Sequence, residues 1–412
     1  MEAAARAASA AAPAGAGGAR PSARTYSGTR RQERRRATDW ACFRRKDGCV
    51  AAKRILICST PVGPLGSGIG GGVELTLHGL VLGLSARGHE VEVVAPEGSL
   101  HLGGRVHQIA GEWQASSQSA ARDAPVELPP RPVLGAMWDH VRRHQHRVDV
   151  VVNLAYDWLP FYLTPFLDVP VAHLVSMGSL NEAMDAVVEQ AVLDRPGSVA
   201  VHSRAQADTF PAVADRLRVI GNGIAVERYD VQLAADEPRY LGYIGRISPE
   251  KGIDDVFAVA EASGLPMRVW GLMQDERCWS EAGARHPGAH VRHEGFVPTD
   301  DLQAAIGGCA AIVMTPKWVE AFGNVAIEAM ACGVPVIAYR RGGPAEIVVD
   351  GETGFLVEPD DVDAVVRAVA RIDEIDRVMC RQRVEERWST TALAERVDDW
   401  LDDLIRSHQH VR

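Results

Sequence analysis

From Arg54 onward, short apolar runs alternate with stretches of helical period, and this alternation constrains the fold more than any other feature of the chain. "RILICS" (54–59) has the length and unbroken apolar character of a buried strand. In "VELTLHGLVLGLSAR", Val73, Leu77, Leu80 and Leu84 fall on one helical stripe. Gly88 stands where a helix C-cap is expected, and "EVEVVAP" returns as a strand. Further strands read as "VDVVVNLAY", "VPVAHLVSM", "SVAVHS" and "LRVIGNG". A second series runs through "RYLGYIGRI", "MRVWGL", "HVRHEGFV", "AAIVMTP", "PVIAYR" and "GFLVE". Strands that alternate with helices form parallel sheets covered on both faces. Two such series, joined near Asn222–Asp236, predict an α/β chain of two Rossmann-like domains with a cleft between them. The expected boundaries are an extension over 1–52, a first domain over 53–222, a second over 223–388 and a closing helical segment over 389–412. Ligands of such sheets bind outside the carboxyl ends of the strands.

An apolar fraction of 46% over 412 residues suits two cores that fold unaided. The net charge of −10 argues against general nucleic-acid binding. That average hides an asymmetry: residues 1–52 hold ten Arg and one Lys against four acids, a net of +7, which leaves −17 on the rest. The extension is rich in Ala, Gly, Ser and Arg and poor in large apolar residues, so it is expected to be disordered. It reads either as a transit-like segment or as sequence ahead of a true start near Val50. No apolar run approaches the roughly 18 residues of a membrane span. The seven cysteines are odd in number and scattered, which fits reduced thiols in a cytoplasmic setting better than disulfides or a zinc site.

The richest stretch is "EAFGNVAIEAMACGVPVIAYRRGGPAEI", with Glu320 ahead of a helix and Glu328 about one turn into it. Asn324 is the expected N-cap. The first N–H groups of a helix lack internal partners and attract phosphate. Carboxylates beside such a seat suit hydroxyl donors, as on a sugar or a ribose; the alternative is a capped helix with two solvated glutamates. "GRISPEKG" (245–252) sets Arg246 and Lys251 beside a tight turn after a strand. Two fixed cations there fit a diphosphate, unless the loop is merely basic and solvated.

Together with "GGVELTLHGLVLGLSARGHEVEVV" (71–94), "VIGNGI" (219–224) and "GGPAEIVVDGETGFLVEP" (342–359), these motifs make the chain from Arg54 to about Trp400 resemble the family 4 glycosyltransferases of GT-B fold. The resemblance implies that Arg246 and Lys251 bind the donor diphosphate, that Glu320 meets the transferred sugar and that Glu328 meets the ribose. It implies that the backbone of Phe322, Gly323, Asn324 and Val325 seats sugar and phosphate, while Gly71 and Gly72 close over the diphosphate. It further implies transfer with retention, a nucleotide sugar as the only co-substrate, no metal, and a last helix that crosses back to the first domain. Asp361–Asp363, the single D-x-D, reads as a helix cap.

Family members often carry a histidine at the cleft end of the strand that reads here as "PVAHLVSM". By spacing, that place belongs to Ser176, with His173 three residues earlier on the opposite face; His173 is then as readily a satisfied core residue. "STPVGPLGSGIGGGVE", "AYDWLPFYLTPF" and "VAHLVSMGSLNE" resemble the cyanobacterial enzymes that move glucose from UDP-glucose to tetrahydrobiopterin. Tyr156, Trp158, Phe161 and Tyr162 could stack on a pterin-like ring and Asp157 could pair with its N–H groups, or the rings could simply fill a core.

Three other functions compete. "GSGIGG" (66–71) satisfies the dinucleotide fingerprint but starts seven residues after its strand, which weakens an oxidoreductase reading. An epimerase or hydrolase of nucleotide sugars would keep the fold, and so would a non-catalytic binding module, which the full set of charged donor-site residues disfavours. The expected partners are a small-molecule donor and acceptor, with no nucleic acid and no integral membrane segment.

Overall fold

The computed structural model describes residues 51–100, 103–115 and 121–411. The basic extension expected over 1–52 lies outside them, apart from its last two residues.

Among the described residues thirteen strands form two parallel sheets. The first lobe holds β1 (Arg54–Cys58), β2 (Glu90–Pro96), β3 (Arg105–Ile109), β4 (Val150–Asn153), β5 (Val171–Val175), β6 (Val199–Val201) and β7 (Arg218–Val219). They lie in the order β3-β2-β1-β4-β5-β6-β7. The second lobe holds β8 (Leu241–Ile244), β9 (Met267–Trp270), β10 (Val291–Gly295), β11 (Ile312–Met314), β12 (Val336–Tyr339) and β13 (Gly354–Val357), in the order β10-β9-β8-β11-β12-β13. Each lobe is therefore doubly wound, with its topological switch point between β1 and β4 or between β8 and β11. Every residue of β4, β5 and β12 is buried, as apolar runs covered by helices on both faces must be. The two Rossmann-like lobes expected from the alternation are present. β3 is not among the expected strands, because "RVHQI" is polar and sits at the sheet edge, where one side faces water. The strand expected at "LRVIGNG" shortens to the two residues of β7.

The Gly72–Ala86 helix buries Leu77, Leu80 and Leu84 on the first sheet, and Val73 packs at the margin of that cluster. The last helix, Thr390–Val411, belongs to the same core through Leu393, Val397, Trp400 and Leu401. It thus crosses from the second lobe back to the first, as the family resemblance implies. Its buried Asp398 receives Arg87 Nε (2.8 Å), His89 and Lys53. Burial alone would raise that carboxyl, but these donors hold it well below the usual carboxylate range. Asp361 caps the Val362–Ala370 helix by accepting Ala364 N–H at 2.8 Å. No helix among the described residues is long and apolar enough to cross a membrane.

Candidate functional site

The segments that leave the carboxyl ends at the two switch points carry nearly all the expected site residues. β1 leads to Gly71 and Gly72, β4 to Tyr156–Trp158, β8 to Arg246 and Lys251, and β11 to Glu320 and the Phe322–Val325 turn.

On the second lobe these side chains touch one another. The Lys251 ammonium pairs with the Glu320 carboxylate and lies 4.8 Å from the centre of the Trp318 ring. The Trp318 indole N–H donates to the same Glu320 oxygen at 3.1 Å. Arg246 donates to Gln274 Oε1 at 2.7 Å and pairs with Glu250 at 3.3 Å. Both cations thus rest on protein acceptors at the mouth of β8. Trp318 is not among the residues that the sequence singles out; its place two residues before Glu320 is the available signal.

The helix after this turn begins at Asn324, and its N-cap is Gly323 in the left-handed region (φ 99°). This corrects the expectation that Asn324 caps: a side chain at N1 points outward along the helix start, where it is free to reach elsewhere. Asn324 Oδ1 accepts Asn222 Nδ2 at 2.7 Å, and Asn324 Nδ2 donates to the Gly72 carbonyl at 3.2 Å. A Cβ on Gly72 would lie 2.7 Å from Asn324 Nδ2, so a larger residue there would push the Asn324 amide aside. The starts of two helices, one from each lobe, therefore meet at the cleft.

Glu328 lies deeper, 8% exposed, and accepts the Tyr229 hydroxyl at 3.2 Å. Burial raises its carboxyl to about 7, against a smaller lowering by Tyr229. The glycine-rich loop turns inward onto its own helix: Glu74 accepts N–H from Gly66 (2.7 Å) and Gly70 (2.8 Å). A protein carboxylate thus fills the loop that a dinucleotide fingerprint would offer to pyrophosphate.

The first lobe is arranged differently. Tyr156 is buried, and its hydroxyl accepts Leu180 N–H at 3.4 Å. Asp157 caps the Trp158–Leu163 helix through Leu159 N–H (3.0 Å) and accepts Gln114 Nε2 (3.0 Å); burial raises its carboxyl. Trp158 stacks on Tyr162 with centroids 4.5 Å apart. His173 is a satisfied core histidine: it lies within hydrogen-bond distance of Asn153 (3.2 Å) and Thr164 (2.9 Å), and stacks on Phe161. Burial drops it to about 3, so it is neutral.

Ser176 leads to a residue that sequence reasoning missed. Its hydroxyl lies 3.1 Å from Nε2 of His202, whose Nδ1 lies 2.8 Å from the Gly221 carbonyl. Donation from Nδ1 leaves Nε2 to accept the hydroxyl, and burial lowers this imidazole to about 4. The His202 ring sits 6.0 Å from Phe322 of the second lobe. β5 and β6 pair Val175 with Val201, which brings the next residues, Ser176 and His202, side by side. That register is the signal, and it needs the strand pairing to be known.

Two doubly wound parallel sheets, with polar residues gathered at carboxyl ends that face one cleft, define the GT-B class of fold. Comparison with known proteins agrees. Residues 226–389 match the family model "Glycosyl transferases group 1", and residues 70–228 match "Glycosyltransferase Family 4". The first match lies on the second lobe and the other on the first, so each lobe is similar to a glycosyltransferase model. It is 27% identical over 227 residues to the capsular polysaccharide biosynthesis glycosyltransferase CapM of Staphylococcus aureus, which covers 48% of this chain and 58% of that protein. It is 26% identical over 410 residues to the D-inositol 3-phosphate glycosyltransferase of Mycolicibacterium smegmatis, covering 87% and 92%. The Anabaena HepE structure, solved in complex with UDP and glucose, superposes with a TM-score of 0.64 at 18% identity, over 85% of this chain and all of that one. Against the first curated relatives, CapM and a glycogen synthase of Mycobacterium tuberculosis, the chain spans 58% and 60% of their lengths.

Proposed function

We propose that the chain moves a sugar, glucose foremost, from UDP-glucose to a hydroxyl of a small acceptor, with retention and without a metal. The observation that carries this is the Lys251–Glu320–Trp318 cluster beside Arg246, where the ends of β8 and β11 meet. In this reading Arg246 and Lys251 receive the donor diphosphate, helped by the two helix N-termini at Gly71–Gly72 and Gly323–Val325. When Lys251 turns from Glu320 to phosphate, the carboxylate is released toward the sugar hydroxyls while the Trp318 N–H still holds it. Glu328, as an anion, accepts from the ribose. Negative charge on the departing diphosphate is then met by fixed cations and dipoles, which need no reorganisation as it develops. HepE, crystallised with UDP and glucose, supports UDP-glucose as the first donor to try. The first lobe (53–222) takes the acceptor, the second (223–388) the donor, and the segment over 389–412 ties them together.

For the acceptor we propose a reduced pterin such as tetrahydrobiopterin, held near Tyr156, Asp157, Trp158 and Ser176. The support is the resemblance of "AYDWLPFYLTPF" to the cyanobacterial UDP-glucose:tetrahydrobiopterin glucosyltransferase. Because Asp157 is already committed to its helix cap, a second reading keeps the donor and changes the acceptor to a lipid, a polysaccharide or a secondary metabolite. Mass spectrometry of products from UDP-glucose, UDP-xylose, GDP-mannose and ADP-glucose, each with and without a reduced pterin, separates the readings. A glucosylated pterin supports the first; free UDP and glucose with every acceptor would point to a hydrolase.

A further inference from the structure

A further set of contacts joins the two lobes. Ser203, just after β6 in the first lobe, is 1% exposed and donates its hydroxyl to the Ala321 carbonyl of the second lobe at 2.6 Å. The same oxygen accepts Gln206 N–H at 3.0 Å and so caps the Arg204–Ala207 helix. The other two leading N–H groups of that helix find their acceptor across the cleft. Arg204 N–H reaches Glu346 Oε2 at 3.0 Å, and Ala205 N–H reaches Glu346 Oε1 at 2.8 Å. Helix N-termini need such partners, and here the second lobe supplies two of the three.

Glu346 is tied to the turn that bears Glu320 through Gly343, whose carbonyl accepts Glu346 N–H at 2.9 Å. Gly343 N–H donates to the Glu320 carbonyl at 2.7 Å. A Cβ on Gly342 would lie 2.4 Å from the Glu320 carbonyl oxygen, and one on Gly343 would lie 2.2 Å from that of Phe322. Backbone rests on backbone there, with no side chain between to absorb a displacement. Ala321, which accepts from Ser203, is itself part of the turn.

We propose that Ser203 and Glu346 form an interlobe clasp that holds the Glu320–Gly323 turn in place, as positioning residues. Closing the lobes then completes both the cap of the Arg204–Ala207 helix and the turn, and opening them loosens both together. The clasp goes beyond the proposed transfer reaction, and its first test does not depend on that reaction.

Hydrogen exchange on the free full-length chain reads it through peptides covering 203–208 and 319–325. In Ser203→Ala/Glu346→Ala both peptides should exchange faster, on the order of tenfold, while β1 and β8 keep their protection. Ser203→Thr/Glu346→Gln, which keeps the hydroxyl but only one of the two acceptor oxygens, should restore part of the protection. Faster exchange at 203–208 with 319–325 at the wild-type rate would overturn the clasp and leave a local helix cap. If the double variant does not fold, Glu346→Ala alone is measured on the same two peptides: faster exchange in both supports the clasp, and faster exchange at 203–208 alone overturns it. A kinetic arm rests on the donor reading: with UDP-glucose, kcat should fall about tenfold with KM within about twofold. An unchanged kcat would overturn the positioning role. A wild-type chain that never turns over UDP-glucose would fail the donor reading and leave the exchange result to decide the clasp.

Discussion

At the ends of β8 and β11, Lys251, Glu320 and Trp318 lock onto one another and remain partly open to the cleft. At the ends of β4 and β5, Tyr156 is buried, Asp157 caps its own helix and His173 is spent on Asn153 and Thr164. Both lobes share the doubly wound topology, yet one offers charges that can change partner and the other offers side chains already satisfied. The difference teaches where specificity is written. In the proposed reading a diphosphate demands fixed cations and helix ends, so its seat would be built into strand-end motifs of short sequence span. In the same reading an acceptor surface would be assembled from several loops of the first lobe, each stabilised by its own contacts.

The contrast is most easily broken at its cationic end. Arg246→Ala and Lys251→Ala should each lower kcat by about a hundredfold, on the order of 3 kcal/mol in the transition state, while weakening donor binding less. Arg246→Lys should recover only part, because an ammonium cannot make a forked contact. Wild-type kcat in either alanine variant would remove the second lobe's claim to the chemistry.

A smaller loss, about tenfold in kcat, is expected for Glu320→Gln, which keeps the size and removes the charge. Should kcat stay at the wild-type level, Glu320 is only a partner for Lys251 and Trp318.

Glu328 sharpens the comparison through pH. Its carboxyl is raised from 4.5 to about 7 in the folded chain, so the folded state holds a proton that the unfolded state has released. Stability from this group is therefore complete below about 4.5 and is lost as pH rises through about 7. Thermal melts across that range should show the decline, and Glu328→Gln should flatten it. Donor affinity should move the opposite way, improving above about 7 as the carboxylate forms and can accept ribose hydroxyls. Parallel melting curves for the variant and the wild type would show that Glu328 is not the raised group.

The first-lobe residues should give the smallest effects on the donor. Asp157→Asn and Trp158→Ala should raise acceptor KM several-fold and leave UDP binding within about twofold. Normal kinetics with only a lowered melting temperature would make these residues a core and withdraw the pterin reading.

Much of the fold is legible because buried parallel strands write themselves as unbroken apolar runs, as in "VIAY" and "VVVN". β3 is not, because an edge strand needs few apolar residues. Arg246, Lys251 and Glu320 stand out through two motifs of short sequence span, "GRISPEKG" and "EAFGNVAIE", and the structure brings Lys251 and Glu320 together. His202 and Glu346 are not, since each meets a neighbour that is distant in sequence or hidden by strand register, and Trp318 is not, since an indole near Glu320 carries no charge to mark it. Asn324 reads as a cap because Asn favours that place, but Gly323 takes the left-handed conformation and moves the helix start by one residue.

The central claim is that fixed protein cations, and no metal, hold the diphosphate of a nucleotide sugar on the second lobe. Calorimetric titration of UDP-glucose into the full chain in the presence of EDTA measures this directly, with Lys251→Ala alongside. Saturable binding to the wild type, weakened several-fold in the variant and indifferent to added Mg²⁺, is the expected result. Binding that vanishes with EDTA and returns with Mg²⁺ or Mn²⁺, or equal affinity in the wild type and Lys251→Ala, would contradict it.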